Sequence, residues 1–166
     1  MNFSVVDTNV PVVANGRSEQ ADPDCVINCI NVLIEINQQG IIILDDTRLI
    51  LQEYIRNLSL SGQPGPGDAF MQWVFNVQGD TKYCKQVHIT PCENDPTNFV
   101  EFPQDDRLIT FDRSDRKFVA AALSSGSAPE VLNAVDADWA EHFMALCEAG
   151  VRIKFLCPQH VVRGDK

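Results

Sequence analysis

The run Ile41–Leu44 constrains the fold of this chain more than any other segment, because it is an uninterrupted series of aliphatic residues. Such a run is typical of a strand that is buried on both faces of a sheet. A helix is predicted over Pro23–Gln39, directly before the run. A second helix, capped by Asp45 or Asp46, is predicted to reach about Leu58. A buried strand between two helices indicates an α/β protein.

The same alternation of strands and helices continues along the chain. Besides Ile41–Leu44, strands are predicted at 3–7, 86–89, 131–135 and 151–156, and further helices at 10–14, 68–78, 114–124 and 138–149. The pattern predicts a three-layer α/β/α domain with a mainly parallel, five-stranded sheet. The domain is expected to span 1–158, with an irregular insertion at about 59–106 and a C-terminal tail at 159–166.

The charge balance limits the partners of this 166-residue chain. Its 13 Lys and Arg residues stand against 23 Asp and Glu residues, which gives a net charge of −10. A chain this acidic has no general attraction to a polyanion, so a DNA-binding module that reads base sequence is disfavoured. An enzyme whose carboxylates hold a cation stays possible, because a bound metal inverts the local charge.

No segment of the sequence predicts contact with a membrane. No apolar run reaches the roughly 18 residues expected of a spanning helix. Residues 1–7 lack a basic region followed by a long apolar core, so a signal peptide is not expected. The cytoplasm is therefore the expected location.

The cysteines admit two interpretations. None forms a Cys-x-x-Cys pair, and no histidine is seen at zinc-finger spacing. Cys25 and Cys29 are four residues apart on a predicted helix, which would suit a pair of thiolate ligands for a metal. The favoured interpretation is that all six are small buried apolar side chains. The six are Cys25, Cys29, Cys84, Cys92, Cys147 and Cys157.

Two acids stand at the ends of predicted strands. Asp7 ends the first strand, and Asp136 directly follows the strand at 131–135. Because ligands bind outside the carboxyl ends of parallel strands, both acids are expected at one functional edge of the sheet. The simpler alternatives are a turn residue with Thr8 and Asn9 for Asp7, and a helix cap for Asp136.

Two further acids lie on predicted helices. Asp115 begins a helix and shares a face with its buried apolar stripe, whereas the neighbouring Asp112 precedes the helix and is expected to be solvated. The alternative for Asp115 is an acid favoured by the helix dipole. Glu53 lies beside Gln52 and Arg56 on the more polar side of its helix, where a plain surface position is the alternative.

Four segments together resemble the acidic motifs of PIN-domain nucleases. They occur in that family's order, over essentially the whole chain: Val5–Asn9, the helix around Glu53, Asp115–Leu123 and Ala134–Trp139. The chain is most similar to the small bacterial toxin ribonucleases of toxin–antitoxin pairs. The resemblance implies a PIN-like fold whose acids gather at one edge of a parallel sheet.

The fourth motif departs from the family pattern. The family usually has Thr or Ser two residues before the fourth Asp, and this chain has Ala134. Alignment favours Asp136 as the fourth metal ligand. Asp138 is then expected to support Asp136 as a further ligand or to cap the next helix.

The resemblance implies an endoribonuclease that hydrolyses RNA phosphodiester bonds with a water molecule activated by Mg²⁺ or Mn²⁺. Its catalytic and metal-binding residues would be Asp7, Glu53, Asp115 and Asp136, because hard divalent cations prefer oxygen ligands. Asn9 would orient Asp7 or the substrate. Three cations that bracket Asp115 would either meet RNA phosphates or form a solvated face: Arg113, Arg116 and Lys117.

The resemblance also implies partners, namely an RNA substrate, an antitoxin protein and a second copy of the chain. The main alternative is a non-catalytic PIN-like module that recruits a protein partner through the region 59–106. A phosphoacceptor signalling domain fits less well, because it needs a Lys at the end of a late strand and Lys154 lies within the last strand.

Overall fold

Five parallel strands form the central sheet of the computed structural model, which describes residues 2–161. In chain order the strands are β1 (Asn2–Val6), β2 (Gly40–Asp45), β3 (Cys84–Val87), β4 (Pro91–Cys92), β5 (Asp95–Phe99), β6 (Glu130–Asn133) and β7 (Arg152–Phe155). The sheet has the order β3-β2-β1-β6-β7, and β4 and β5 form a separate antiparallel hairpin. Helices flank the sheet, so the predicted three-layer α/β/α class is confirmed and is consistent with a PIN-like fold.

The helices occupy the connections between the strands. They are α1 (Asn9–Ala14), α2 (Pro23–Gln39), α3 (Leu49–Asn57), α4 (Pro66–Val77), α5 (Arg116–Ser124), α6 (Ala137–Glu141), α7 (Phe143–Glu148) and α8 (Pro158–Val161). Two 3₁₀ turns precede α5, at Asp106–Leu108 and Arg113–Asp115. Within residues 2–161, no helix combines the length and the apolar character that crossing a membrane requires.

Strand β2 is buried on both faces, as its sequence predicts. Successive side chains of a strand point to opposite faces of the sheet. Ile42 and Ile43 are both fully buried, so each face of β2 is covered. Asp45 ends the strand, and its carboxylate accepts hydrogen bonds of 2.8 Å from the backbone N–H groups of Leu49 and Ile50. Asp45 rather than Asp46 therefore satisfies free donors at the start of α3.

The region 59–106 is more regular than its composition suggests. Its first half contains α4 and β3, and β3 is an edge strand of the central sheet. Helix α4 packs so closely on α1 that a Cβ atom on Gly67 would lie 1.9 Å from the carbonyl oxygen of Pro11. Only glycine permits this contact. The part of the region that contains α4 and β3, near the helix predicted at 68–78 and the strand predicted at 86–89, therefore packs with the core of the domain.

The helix predicted at 138–149 is divided at His142 into α6 and α7. The imidazole Nδ1 of His142 lies 2.8 Å from the carbonyl oxygen of Asp138, and Nε2 lies 3.0 Å from the hydroxyl of Thr110. The ring also contacts the edge of Phe111, with the ring centroids 5.3 Å apart. These contacts hold His142 against a segment that is distant in sequence, which a local helical pattern cannot predict.

The prediction for the cysteines is wrong in part. Cys29 is buried as predicted, but Cys25 and Cys157 form a disulfide, Cys92 is only half-buried and Cys147 is exposed. The disulfide joins residues 132 positions apart, so sequence spacing gave no sign of it. Cys84 is also buried.

Helix α8 is the last described element of the chain. It covers 159–161, the first residues of the C-terminal tail expected at 159–166. Residues 162–166 lie outside the described residues. Met1, the first residue of the predicted domain, also lies outside them.

Candidate functional site

Three carboxylates meet at the C-terminal edge of the sheet. Asp7 directly follows β1, Asp136 follows the neighbouring strand β6, and Asp115 lies at the start of α5. One carboxylate oxygen of each residue lies within 4.8 Å of the others. Because β1 and β6 are parallel neighbours, their carboxyl ends necessarily bring Asp7 and Asp136 to the same edge. We call these three residues the acidic trio.

Asp7 is held in place by two hydrogen bonds. The backbone N–H of Asn9 donates to its Oδ1 at 3.0 Å, and the indole Nε1–H of Trp139 donates to its Oδ2 at 2.8 Å. Burial raises the pKa of Asp7, and the negative charges of Asp136 and Glu53 raise it further. The two N–H donors act in the opposite direction without cancelling the effect of burial.

Asp115 is the least satisfied member of the acidic trio. Its side chain is buried, and Oδ2 has no hydrogen-bond partner among residues 2–161. Burial raises the pKa of Asp115, and the charges of Asp7 and Asp136 add to the rise. A buried carboxylate oxygen without a partner is costly, and most buried polar groups do have one. Asp115 also shares a side-chain hydrogen bond with Asp136, which raises its pKa further, so a proton or a bound cation would each relieve the repulsion within the acidic trio.

Asp136 and Asp138 have different surroundings. Oδ1 of Asp136 accepts a hydrogen bond of 3.0 Å from the backbone N–H of Asp138, so Asp136 caps α6. Asp138 instead accepts a hydrogen bond of 2.8 Å from the backbone N–H of Asp112 and lies 3.2 Å from Nδ1 of His142. The expectation that Asp138 caps this helix is therefore wrong. Its carboxylate groups with Glu141 and His142 rather than with the acidic trio.

Glu53 lies beside the acidic trio but already has a cation. Its Oε1 is 2.6 Å from Nζ of Lys117, and its Oε2 accepts a hydrogen bond from the Thr8 hydroxyl. The next residue, Tyr54, fixes α3 to the sheet, because its buried hydroxyl donates to the carbonyl of Val6 at 2.6 Å. The structure thus places Glu53 next to Asp7, with its charge balanced from within the chain.

Asn9 links the two loops that carry Asp7 and Asp136. Its side-chain Nδ2 donates to Oδ1 of Asn133 at 2.7 Å, and its Oδ1 accepts from the backbone N–H of Ala134 at 2.8 Å. Both polar atoms of the Asn9 amide are therefore used within the protein. Asn9 therefore connects these two loops through its side chain, and its backbone N–H bonds to Asp7.

The three cations expected to meet phosphates are placed differently. Arg116 is buried, and its guanidinium donates to the carbonyls of Leu108, Ile109 and Phe111. The expectation of a phosphate contact is therefore wrong for Arg116, which holds the fold together. Lys117 is buried against Glu53.

Arg113 is the exposed member of this group, and it pairs with Asp95 of the β4–β5 hairpin. A cleft of about 130 Å³ lies between this hairpin and the two helices that carry Glu53 and Lys117. Three cationic residues line it: Arg56, Arg113 and Lys117. We call it the cationic cleft, and two of its three cations are already paired within the chain, Arg113 with Asp95 and Lys117 with Glu53.

Sequence reasoning missed several residues that hold the site together. Trp139 supports Asp7 directly, Thr8 and Tyr54 hold Glu53 and its helix, and Asn133 bonds to Asn9. Trp139 follows Asp136 by three residues, at the start of a predicted helix, so the sequence did indicate that Trp139 lies near the acids of the site. The contacts of Tyr54 and Asn133 depend on distant segments and had no local signal.

Comparisons with protein-family models, with curated proteins and with solved structures gave no match for this chain. The site's own geometry and chemistry therefore carry the functional argument.

Proposed function

We propose that this chain is an endoribonuclease that uses Mg²⁺ or Mn²⁺, held by Asp7, Asp115 and Asp136, to hydrolyse phosphodiester bonds in RNA. The observation that carries the proposal is the convergence of three carboxylates within 4.8 Å, one of them with a buried oxygen that has no partner in residues 2–161. Mutual repulsion and loss of water make this arrangement costly on its own. A divalent cation relieves both costs.

The donor set fits a hard cation. All three candidate ligands are carboxylates, which Mg²⁺ and Mn²⁺ prefer over softer thiolate ligands. A bound ion of this kind lowers the pKa of an attacking water and stabilises the charge that develops on the phosphate. No protein nucleophile is then required, and none is assigned.

The chain's own residues orient the ligands. The indole of Trp139 and the backbone N–H of Asn9 each hold one oxygen of Asp7. The side chain of Asn9 holds the loop that leads to Asp136. Catalytic metal sites depend on such fixed orientation, because the ligands must not rotate away when the substrate binds.

We assign Glu53 as a positioning residue rather than a metal ligand. Its carboxylate is taken by Lys117 and Thr8, and its charge acts on Asp7 without joining the acidic trio. The pair also keeps the ammonium of Lys117 at the cationic cleft. An RNA phosphate at this cleft would meet Arg56, and it would compete with Glu53 for Lys117 and with Asp95 for Arg113.

The resemblance to toxin ribonucleases extends the proposal to partners and location. We propose a cytoplasmic enzyme that forms a homodimer and is inhibited by an antitoxin protein. Light scattering of the purified chain tests the dimer, because a monomer at micromolar concentration would contradict it.

The proposal is tested with the full-length protein and a fluorogenic single-stranded RNA. We expect cleavage with Mn²⁺ or Mg²⁺, none with a chelator, and none from Asp7→Asn with either metal. Asp80→Asn is the matched control, since Asp80 is an exposed acid that accepts a hydrogen bond from Lys82 outside the site. Cleavage by Asp7→Asn at the wild-type rate would overturn the assignment. Failure of the wild type to bind either metal would leave the non-catalytic module as the better explanation.

A further inference from the structure

A second cluster of metal-binding side chains lies where the start of α2 meets the end of β7. The Sγ atoms of Cys25, Cys29 and Cys157 all lie within 4.8 Å of one another, and all three residues are fully buried. Cys25 and Cys157 are joined as a disulfide, while Cys29 carries a free thiol. A disulfide needs two sulfur atoms, so the third one calls for an explanation.

We propose that the reduced form of this protein binds one Zn²⁺ through Cys25, Cys29 and Cys157, with His160 as the fourth ligand. Structural zinc sites are tetrahedral and commonly contain three cysteines and one histidine. With Zn–S bonds of about 2.3 Å, the sulfur atoms of such a site lie roughly 3.8 Å apart. The observed sulfurs lie within 4.8 Å before any metal is bound.

The spacing along the chain supports four ligands rather than three. Cys25 and Cys29 are separated by one helical turn, so their side chains share a face of α2. Cys157 and His160 are three residues apart, at the end of β7 and on α8. This Cys-x₃-Cys and Cys-x₂-His arrangement brings two short ligand pairs together from opposite ends of the chain. Helices α2 and α8 contain one histidine between them, which is His160.

His160 lies at the same end of α2 as the three cysteines, although its ring nitrogens are not part of the group of atoms within 4.8 Å that the three sulfur atoms form. Its Nε2 lies 3.3 Å from a carboxylate oxygen and 3.3 Å from the backbone nitrogen of Asp22. Asp22 caps α2 by accepting a hydrogen bond of 2.8 Å from the backbone N–H of Cys25. Because Nε2 accepts a hydrogen bond from the backbone N–H of Asp22, Nδ1 carries the ring proton in this state. Zinc binding at Nδ1 would require this proton to move to Nε2, where the Asp22 carboxylate would accept its hydrogen bond. A carboxylate behind a ligating histidine is the usual support of a zinc site.

The metal site and the disulfide are two states of one cluster. A thiol reductant gives two electrons and two protons to the Cys25–Cys157 bond, which yields two thiols while the reductant becomes a disulfide. Zinc then displaces one proton from each of the three thiols. In a reducing compartment disulfides are rare, and clustered cysteines there more often bind metal.

The test uses the full-length protein, reduced with a phosphine and then titrated with Co²⁺ under anaerobic conditions. We expect one thiolate-bound Co²⁺ per chain, with thiolate-to-cobalt charge-transfer bands and the visible bands of tetrahedral cobalt, both bleached by Zn²⁺. Cys29→Ser should weaken cobalt binding at least about tenfold. Cys84→Ser is the matched control, because Cys84 is equally buried but lies on β3, and it should behave as wild type.

Two further variants separate this site from the acidic trio. Asp115→Asn should keep the full cobalt–thiolate signal, and its loss there would overturn the proposal. His160→Gln should shift the visible cobalt bands, while unchanged bands would overturn the role of His160. Cys29→Ala replaces Cys29→Ser if the serine variant fails to fold. Absence of thiolate bands in the reduced wild type, or equal affinity in the Cys29 and Cys84 variants, would overturn the zinc site.

Discussion

The carboxylates at the C-terminal edge of the sheet fall into two groups with opposite surroundings. On one side, Glu53 lies 2.6 Å from the ammonium of Lys117 and also bonds to Thr8. On the other side, Asp7 and Asp115 approach Asp136 with no cation of the described chain between them, and one oxygen of Asp115 has no partner in residues 2–161. Both sides are largely buried, so both are shielded from water and salt.

This difference separates Glu53 from the acidic trio, although the sequence motifs predict the same role for all four residues. Glu53 completes its interactions within the chain, and its buried ion pair resembles a structural element. In the acidic trio, by contrast, Oδ2 of Asp115 has no hydrogen-bond partner in residues 2–161. An acidic motif in sequence therefore predicts which residues meet, whereas the distribution of partners within the chain distinguishes Glu53 from the acidic trio.

Asp115→Asn should have the largest effect on the acidic trio. It keeps the size of the side chain and removes a carboxylate that the metal would need. We expect RNA cleavage to fall by about two orders of magnitude or more. The stability of the metal-free protein at pH 7 should change little, because the raised pKa of Asp115 leaves this carboxyl protonated there. Cleavage rates and urea unfolding measure the two effects. Asp80→Asn should change neither, and wild-type cleavage by Asp115→Asn would contradict its role as a ligand.

Lys117→Met should have the largest effect on the paired side. It leaves the carboxylate of Glu53 nearly buried without a cation, and breaking a buried pair costs about 3 kcal/mol or more. The double variant Lys117→Met/Glu53→Gln should recover most of this loss, because it removes the stranded charge. Urea unfolding of the single and double variants checks both points. If the single variant unfolds at the wild-type urea concentration, the pair is not structural.

Metal and pH should act together on the acidic trio. The pKa of Asp7 is raised to about 7 in the folded protein, and that of Asp115 is also raised, against about 3.9 in the unfolded chain. At pH values between the unfolded and the folded pKa, the folded state therefore binds more protons than the unfolded state. The stability of the metal-free protein should fall as the pH rises from about 4 through 7.

Saturating Mn²⁺ or Mg²⁺ should reverse this loss. At a metal concentration 100 times the Kd, binding adds about 2.7 kcal/mol. The rise in Tm on adding metal should be small near pH 5 and larger at pH 8, because protons compete for the same carboxylates. Thermal melts at both pH values measure it. A rise in Tm that is equal at both would show that the metal binds elsewhere.

The fold was predictable because its signals are local. Two aliphatic residues in succession, such as Ile42 and Ile43, report burial on both faces of a strand wherever the strand lies in the sheet. The division at His142 was not predictable, since it depends on contacts with Thr110 and Phe111. The disulfide of Cys25 was hidden for the same reason, because its partner is 132 residues away.

The candidate site was also predictable only where its signals are local in sequence. Parallel topology alone places Asp7 and Asp136 at one edge once their strands are recognised. The partner of Glu53 is 64 residues away, so its ion pair with Lys117 could not be predicted from local pattern. Arg116 looked like a surface cation for the same reason, although its guanidinium is bonded to buried carbonyls.

Asp138→Asn should have the smallest effect. Its carboxylate accepts a hydrogen bond from the backbone N–H of Asp112, which an Asn oxygen can still accept. The variant also weakens the contact with His142, a part-exposed pair whose contribution is below about 1 kcal/mol. Metal binding should persist, because Asp138 groups with Glu141 and His142 rather than with the acidic trio.

Asp136→Asn is the variant to compare with Asp138→Asn. Asn is also a good helix cap, so α6 should keep its first hydrogen bond and the fold should be retained. Asp136 lies with Asp7 and Asp115, so its variant should lose metal affinity and RNA cleavage together. The two variants remove the same charge two residues apart, and metal titration alone separates them. If Asp138→Asn loses the metal and Asp136→Asn keeps it, the fourth acidic motif is completed by Asp138 and the trio is wrongly composed.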